Sequence, residues 1–106
     1  LLLVSAIHER VSPHSPLILA GDFNDWRQEA SKILHKKLSL TEVFKIHHGR
    51  YARSFPSRLP LLSLDRIYTR GFSVESAHVL SQFPWFKLSD HVPLLADLKC
   101  QSHYVY

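Results

Sequence analysis

Three acidic positions in this sequence stand where an apolar run stops or starts: Asp22 in LILAGDFND, Asp65 in SLDRIY and Asp90 in LSDHVPLL. Side chains alternate along an extended chain, so Asp22 and Asn24 share one side and Phe23 takes the other, presenting a carboxylate and an amide together. An ionised acid beside a core is costly unless it is paired or holds a cation. Three such acids converging at one rim of a sheet, with His91 next to Asp90, make an oxygen-rich set with one amide and one imidazole. That set favours a hard cation, Mg²⁺ or Mn²⁺, over zinc. A cation held by few carboxylates keeps room for water and a phosphate oxygen, which suits phosphoryl chemistry. His91 would exchange a hydrogen bond with the phosphate, and a carboxylate behind it would fix its tautomer and raise its basicity.

Each of these residues also has a purely structural use. Asp22 can serve as a second turn acid before a helix, Asn24 as an alternative N-cap, Asp65 as partner of Arg66 or Arg70, and Asp90-His91 as a plain loop before a strand. Singly these uses are favoured. Jointly, three strand-end acids in one small chain point to a site.

The elements that must position them follow from periodicity. Leu1, Val4, Ile7 and Val11 recur at helical steps, so an opening helix is expected, followed by a loop at SPHSP (12–16), where two prolines exclude helix and central strand. LILA is a short continuous apolar run, which predicts a strand from Leu17 covered on both faces, with Gly21 allowing a bend. From Asp25 the period turns helical, with Trp26, Ala30, Ile33, Leu34 and Leu38 on one stripe. Asp25 is the expected N-cap with Gln28 as its partner, and His35, Lys36 and Lys37 suit the C-terminal end. Residues 39–62 read as a short element and a long loop. LSLDRIYTRG (62–71) reads as a strand, Gly71-Phe72 as a hairpin turn, and Phe72 to Leu80 as the returning strand. SQFPWFKLSD reads as a loop, and HVPLLADLKC as a last strand with Val92, Leu94, Ala96 and Leu98 on one face. The order predicts an α/β (α+β) fold with helices covering a sheet.

With 106 residues, 45% apolar and 21% charged, the chain has the size and balance of one globular unit rather than of a disordered segment. It opens on LLLVSAI with neither a methionine nor a basic leader, so the expectation is that it begins inside an element of a longer protein. Net charge is +4. Between Arg50 and Arg70 lie five arginines, at 50, 53, 58, 66 and 70, against Asp65 alone, and these are either phosphate contacts or a solvated face. One cysteine excludes an internal disulfide and multi-cysteine zinc patterns. The eight histidines are scattered, and the adjacent pair His47-His48 cannot share one face of a helix or strand.

In their order, LILAGDFND, SLDRIYTRG and LSDHVPLLADL resemble the C-terminal half of the endonuclease/exonuclease/phosphatase superfamily, which includes DNase I-like nucleases, abasic-site endonucleases, sphingomyelinases and inositol-polyphosphate phosphatases. The wording FPSRLPLLSLDRIYTRG and PWFKLSDHVPL most resembles bacterial members without an assigned substrate. The resemblance implies part of a four-layered α/β sandwich, two mixed β-sheets flanked by helices, with the site at one end. It implies that Asp22 activates or positions the attacking water and that Asn24 binds the scissile phosphate. Asp90 would be a carboxylate at the metal site, His91 would contact the phosphate, and Asp65 would orient His91. It further implies Mg²⁺-dependent hydrolysis of a phosphodiester or phosphomonoester.

That superfamily's N-terminal half carries another asparagine, the main metal-binding glutamate and a further histidine or tyrosine. Residues 1–106 contain no counterpart, and Glu9, Glu29 and Glu42 stand in the wrong context. The chain is therefore expected to be the second half of a catalytic domain, inactive alone, needing the other half as partner and able to self-associate through uncovered sheet. Its substrate would be nucleic acid, a phosphorylated small molecule or a lipid headgroup. Arg58 and the neighbouring loop arginines would contact phosphate, and Trp85 would stack on a base or simply pack with Phe86. The competing reading is a catalytically silent binding or structural segment that keeps the scaffold.

Overall fold

In the computed structural model, residues 2–23, 29–58, 60, 62–82 and 89–101 are described. The expected cap Asp25 with Gln28, the stripe residue Trp26, the first helical position Leu1 and the loop aromatics Trp85 and Phe86 lie outside them. The elements run α1 (Leu2–Arg10), β1 (Leu17–Asp22), α2 (Glu29–Leu38), β2 (Thr41–Glu42), α3 (Val43–His48), β3 (Asp65–Arg70), β4 (Phe72–Val79) and β5 (Leu94–Cys100). The mixed helix-and-strand class is as expected. Among the described residues both sheets are antiparallel: β1-β3-β2 in one and β4-β5 in the other.

The two faces of β3 organise the molecule. Tyr68 joins Val4 of α1 and Leu34, Leu38 and Leu40 of the α2 segment in one core cluster, to which Leu17, Leu19 and Phe23 add. Ile67, on the opposite face, packs with Val43, Phe44, Ala77 and the inward residues Leu94, Ala96 and Leu98 of β5 in a second. Helices α1 and α2 thus cover one side of the central sheet, and α3 with the β4-β5 sheet covers the other.

Three expectations are corrected. The β1 strand is not covered on both faces: Leu17 and Leu19 face the helices, whereas Ile18 is 50% exposed and Ala20 is exposed, because among the described residues the cluster that covers Ile67 does not extend over them. Ile33, placed on the α2 stripe, is 38% exposed, while Leu34 and Leu38 are buried. Gly71 is not a hairpin turn. Both edges of β3 are occupied, by β1 and β2, so β4 pairs with β5 instead, and Gly71 at φ 82 redirects the chain between sheets. A side chain at that left-handed φ would be strained.

The stretch after Leu38 contains a helix that periodicity did not disclose. Glu42 caps α3 through Oε1, which accepts from the Lys45 N–H at 2.9 Å, and Gly49 closes it at φ 80 with its N–H donating to the Lys45 carbonyl. Six residues are too few to show a period. The long loop then runs from Gly49 to Leu64.

Candidate active site

Antiparallel pairing of β1 with β3 sets Asp22 directly opposite Asp65. Like charges facing each other across a ladder destabilise it unless a cation intervenes. His91 intervenes: its Nδ1–H donates to Asp65 Oδ2 at 2.5 Å, and its Nε2 lies 3.8 Å from Asp22 Oδ2. The ligand atoms of these three residues lie within 4.8 Å of one another, the group among the described residues able to hold a metal ion. The hydrogen bond to Asp65 holds the imidazole's pKa above its ordinary value against the opposing effect of burial, and the charges of Asp65, Asp22 and Asp90 act in the same direction as that bond.

The loop before β3 holds this arrangement. Ser54, fully buried, accepts the Asp65 N–H on its Oγ at 3.2 Å and the Val92 N–H on its carbonyl at 2.7 Å. Ser57 N–H donates to the Asp90 carbonyl at 2.7 Å, and the Phe55 ring lies 5.0 Å from that of His91. One extended segment therefore ties the end of β3 to the residues on either side of His91. Sequence reasoning passed over Ser54 and Phe55. Their only signal is position, in SFPS (54–57) upstream of the strand carrying Asp65.

Beside the cluster opens a cavity of about 350 Å³ lined by Ala20, Gly21, Asp65, His91 and Pro93. Asp90 lies outside the group of three; it is exposed and lines a neighbouring cavity with Phe55, Ser57 and Arg58. Asn24 lies outside the described residues. Of the five arginines, Arg66 and Arg70 are withdrawn as phosphate contacts because they are 1% and 7% exposed. Arg66 donates to Ser63, Ser31 and Tyr68, and its guanidinium lies 4.5 Å from the Tyr51 ring centroid. Arg70 donates to the carbonyls of Ser15, Leu38 and Ser12 at 2.8, 2.9 and 2.7 Å. Arg50, Arg53 and Arg58 are exposed on the loop.

The described carboxylate and imidazole atoms can position a water, donate to an oxyanion and share a hard cation. Comparison with known proteins gives the same direction. The model of the Endonuclease/Exonuclease/phosphatase family matches residues 1–91. The uncharacterized protein YbhP of Escherichia coli K12 is 48% identical over 83 residues, covering 78% of this chain and 33% of YbhP. A UPF0294 protein of Klebsiella pneumoniae is 36% identical over 96 residues, covering 86% of this chain and 32% of that protein. The UPF0294 protein of Yersinia pestis is 36% identical over 98 residues, covering 88% of this chain and 34% of that protein. The chain spans about a third of the length of these relatives. No solved structure matches. With the family model covering residues 1–91, and with them Asp22, Asp65, Asp90 and His91, the chain belongs to the endonuclease/exonuclease/phosphatase family.

Proposed function

We propose that the chain is the C-terminal half of a divalent-metal-dependent phosphoesterase, which hydrolyses a phosphodiester or phosphomonoester when the rest of its domain is present. The observation that supports this reading best is the bridging of two cross-strand carboxylates by His91. The donor set fits Mg²⁺ or Mn²⁺, which Asp22 would help to hold, since Asp65 commits Oδ2 to His91. Asp90 contributes its charge from just outside. When bound, the metal supplies charge neutralisation at the phosphate oxygens.

The chain's own groups do the rest. Asp22 orients the attacking water and accepts its proton. Asp65 accepts from His91 Nδ1–H and so fixes the ring. The imidazolium, favoured by that bond, donates from Nε2 to a phosphoryl oxygen as negative charge grows there. Asn24 binds the scissile phosphate, and Arg58 contacts the substrate beside Asp90. The upstream half supplies the glutamate that completes the metal site.

The test is Mg²⁺-dependent hydrolysis by the protein in its full natural length, against plain DNA, abasic-site DNA and an inositol phosphate in parallel. Turnover that needs both metal and Asp22, lost in Asp22→Ala, supports the enzyme and selects the substrate class. A folded protein with no turnover on any of these and no upstream glutamate favours a silent binding segment.

A further inference from the structure

A second cavity, of about 370 Å³, lies away from the Asp22–Asp65–His91 rim. Its walls include His48, Arg50, Tyr51 and Arg53 over an apolar floor of Phe44 and Val79, and no acid is among the described lining residues. Arg50 and Arg53 are exposed, and neither has a hydrogen-bond or ion-pair partner among the described residues. They differ in this from Arg70, whose donors are all directed at backbone carbonyls. The third basic group is held in place: His48 Nε2–H donates to the Ala77 carbonyl of β4 at 2.7 Å, and its ring lies 6.0 Å from that of Phe44. Two further cations back the wall, Arg66 at 4.5 Å and Lys45 at 5.6 Å from the Tyr51 ring centroid.

We propose that this cavity binds a phosphate monoester, as a second anion pocket of the same protein. Two permanent guanidinium charges match a group that carries about −1.5 to −2 at neutral pH better than a singly charged diester. The volume is in the range of small-molecule sites. The pocket is coupled to the rim through the backbone, since Arg53 immediately precedes Ser54, which holds the amides of Asp65 and Val92. On the phosphoesterase reading, a substrate that reaches both sites carries two phosphoryl groups, one cleaved at the rim and one held by Arg50 and Arg53. This last step rests on the phosphoesterase reading; binding in the cavity does not.

The experiment titrates the isotopically labelled protein, in its full natural length and metal-free buffer, with glycerol 3-phosphate as monoester probe and dimethyl phosphate as diester probe. Amide shifts at Tyr51, Arg53 and Ala77 are expected. The double variant Arg50→Gln/Arg53→Gln should weaken the monoester by about tenfold or more, as should replacing the monoester with the diester. Melting of the double variant should match the parent, because both side chains are exposed. Absence of these shifts at millimolar probe, equal affinity of the double variant, or equal affinity for the diester would overturn the pocket. In a second arm, a bisphosphorylated substrate should show a KM raised about tenfold in the double variant with kcat kept. An unchanged KM overturns the two-phosphate substrate while leaving hydrolysis intact. A protein that binds glycerol 3-phosphate as expected yet hydrolyses nothing refutes the phosphoesterase reading and leaves the pocket standing.

Discussion

Asp65 and Arg66 are neighbours in the chain and belong to two different kinds of polar cluster. Asp65 turns toward the β4-β5 side, where it meets His91 and Asp22 in a partly exposed group. Arg66 turns toward the helices, where it is buried with Ser31 and Tyr68 and opposes the buried Glu42 electrostatically. In the interior cluster every donor has an acceptor, and no buried side-chain nitrogen or oxygen among the described residues lacks a partner. At the rim two like charges are held face to face, an arrangement that gains nothing for the fold by itself. On the proposed function, like charge held at a partly exposed rim and satisfied charge in the interior are the physical difference between a group kept for chemistry and a group kept for structure.

Mutation should separate the two clusters. At the rim, His91→Ala or Asp22→Ala in the full-length protein should lower kcat about 10³-fold, while at alkaline pH, where the imidazolium's contribution is gone, the unfolding free energy in urea stays within about 0.5 kcal/mol. A large loss of stability with either variant would move the rim into the structural class. In the interior the pattern should invert. Arg70→Met leaves the carbonyls of Ser12, Ser15 and Leu38 without their donor, and should cost about 3 kcal/mol by urea unfolding with turnover per folded molecule retained.

Asp65→Asn sharpens the comparison from within the rim. It removes the charge that does most to favour the imidazolium, so His91 should titrate nearer its ordinary value by NMR in metal-free buffer, and kcat/KM should fall about 10- to 100-fold. An unmoved titration would show that the Asp65 carboxylate charge is not the cause of the shift. The smallest effect is on stability against pH. A histidine whose folded pKa is raised stabilises the fold fully below its unfolded value near 6.5. That contribution is lost as pH climbs through the raised folded value. The stability gap between parent and Asp65→Asn should therefore be widest in mild acid and shrink above neutrality; a gap independent of pH would contradict it.

What the sequence disclosed follows the same division. The approach of Asp22 and Asp65 was legible because strand period and strand ends are local properties, and both residues terminate apolar runs on the same face. The helices α1 and α2 were legible from the stripes carrying Val4, Ile7, Leu34 and Leu38. The fate of Arg66 and Arg70 was not, since a charge in a sequence carries no mark of the carbonyls that will surround it. Nor was the sheet change at Gly71: a glycine between two strand-like runs reads as a turn, and only the occupation of both β3 edges by β1 and β2 forbids the hairpin. The short helix α3 was hidden by its length, and the position of Ser54 by depending on contacts eleven and more residues away.

Ser54 also sets how this site can change over time. One residue fixes the spacing of two chemical groups that are otherwise remote in the chain, through a hydroxyl to one and a carbonyl to the other. Its side chain can vary only if Asp65 shifts, and its backbone only if Val92 shifts, so substitutions at 54, 65 and 91 should be strongly non-additive. Selection for a new substrate would then find these positions locked to one another, and would work through the exposed residues before Ser54, such as Arg53.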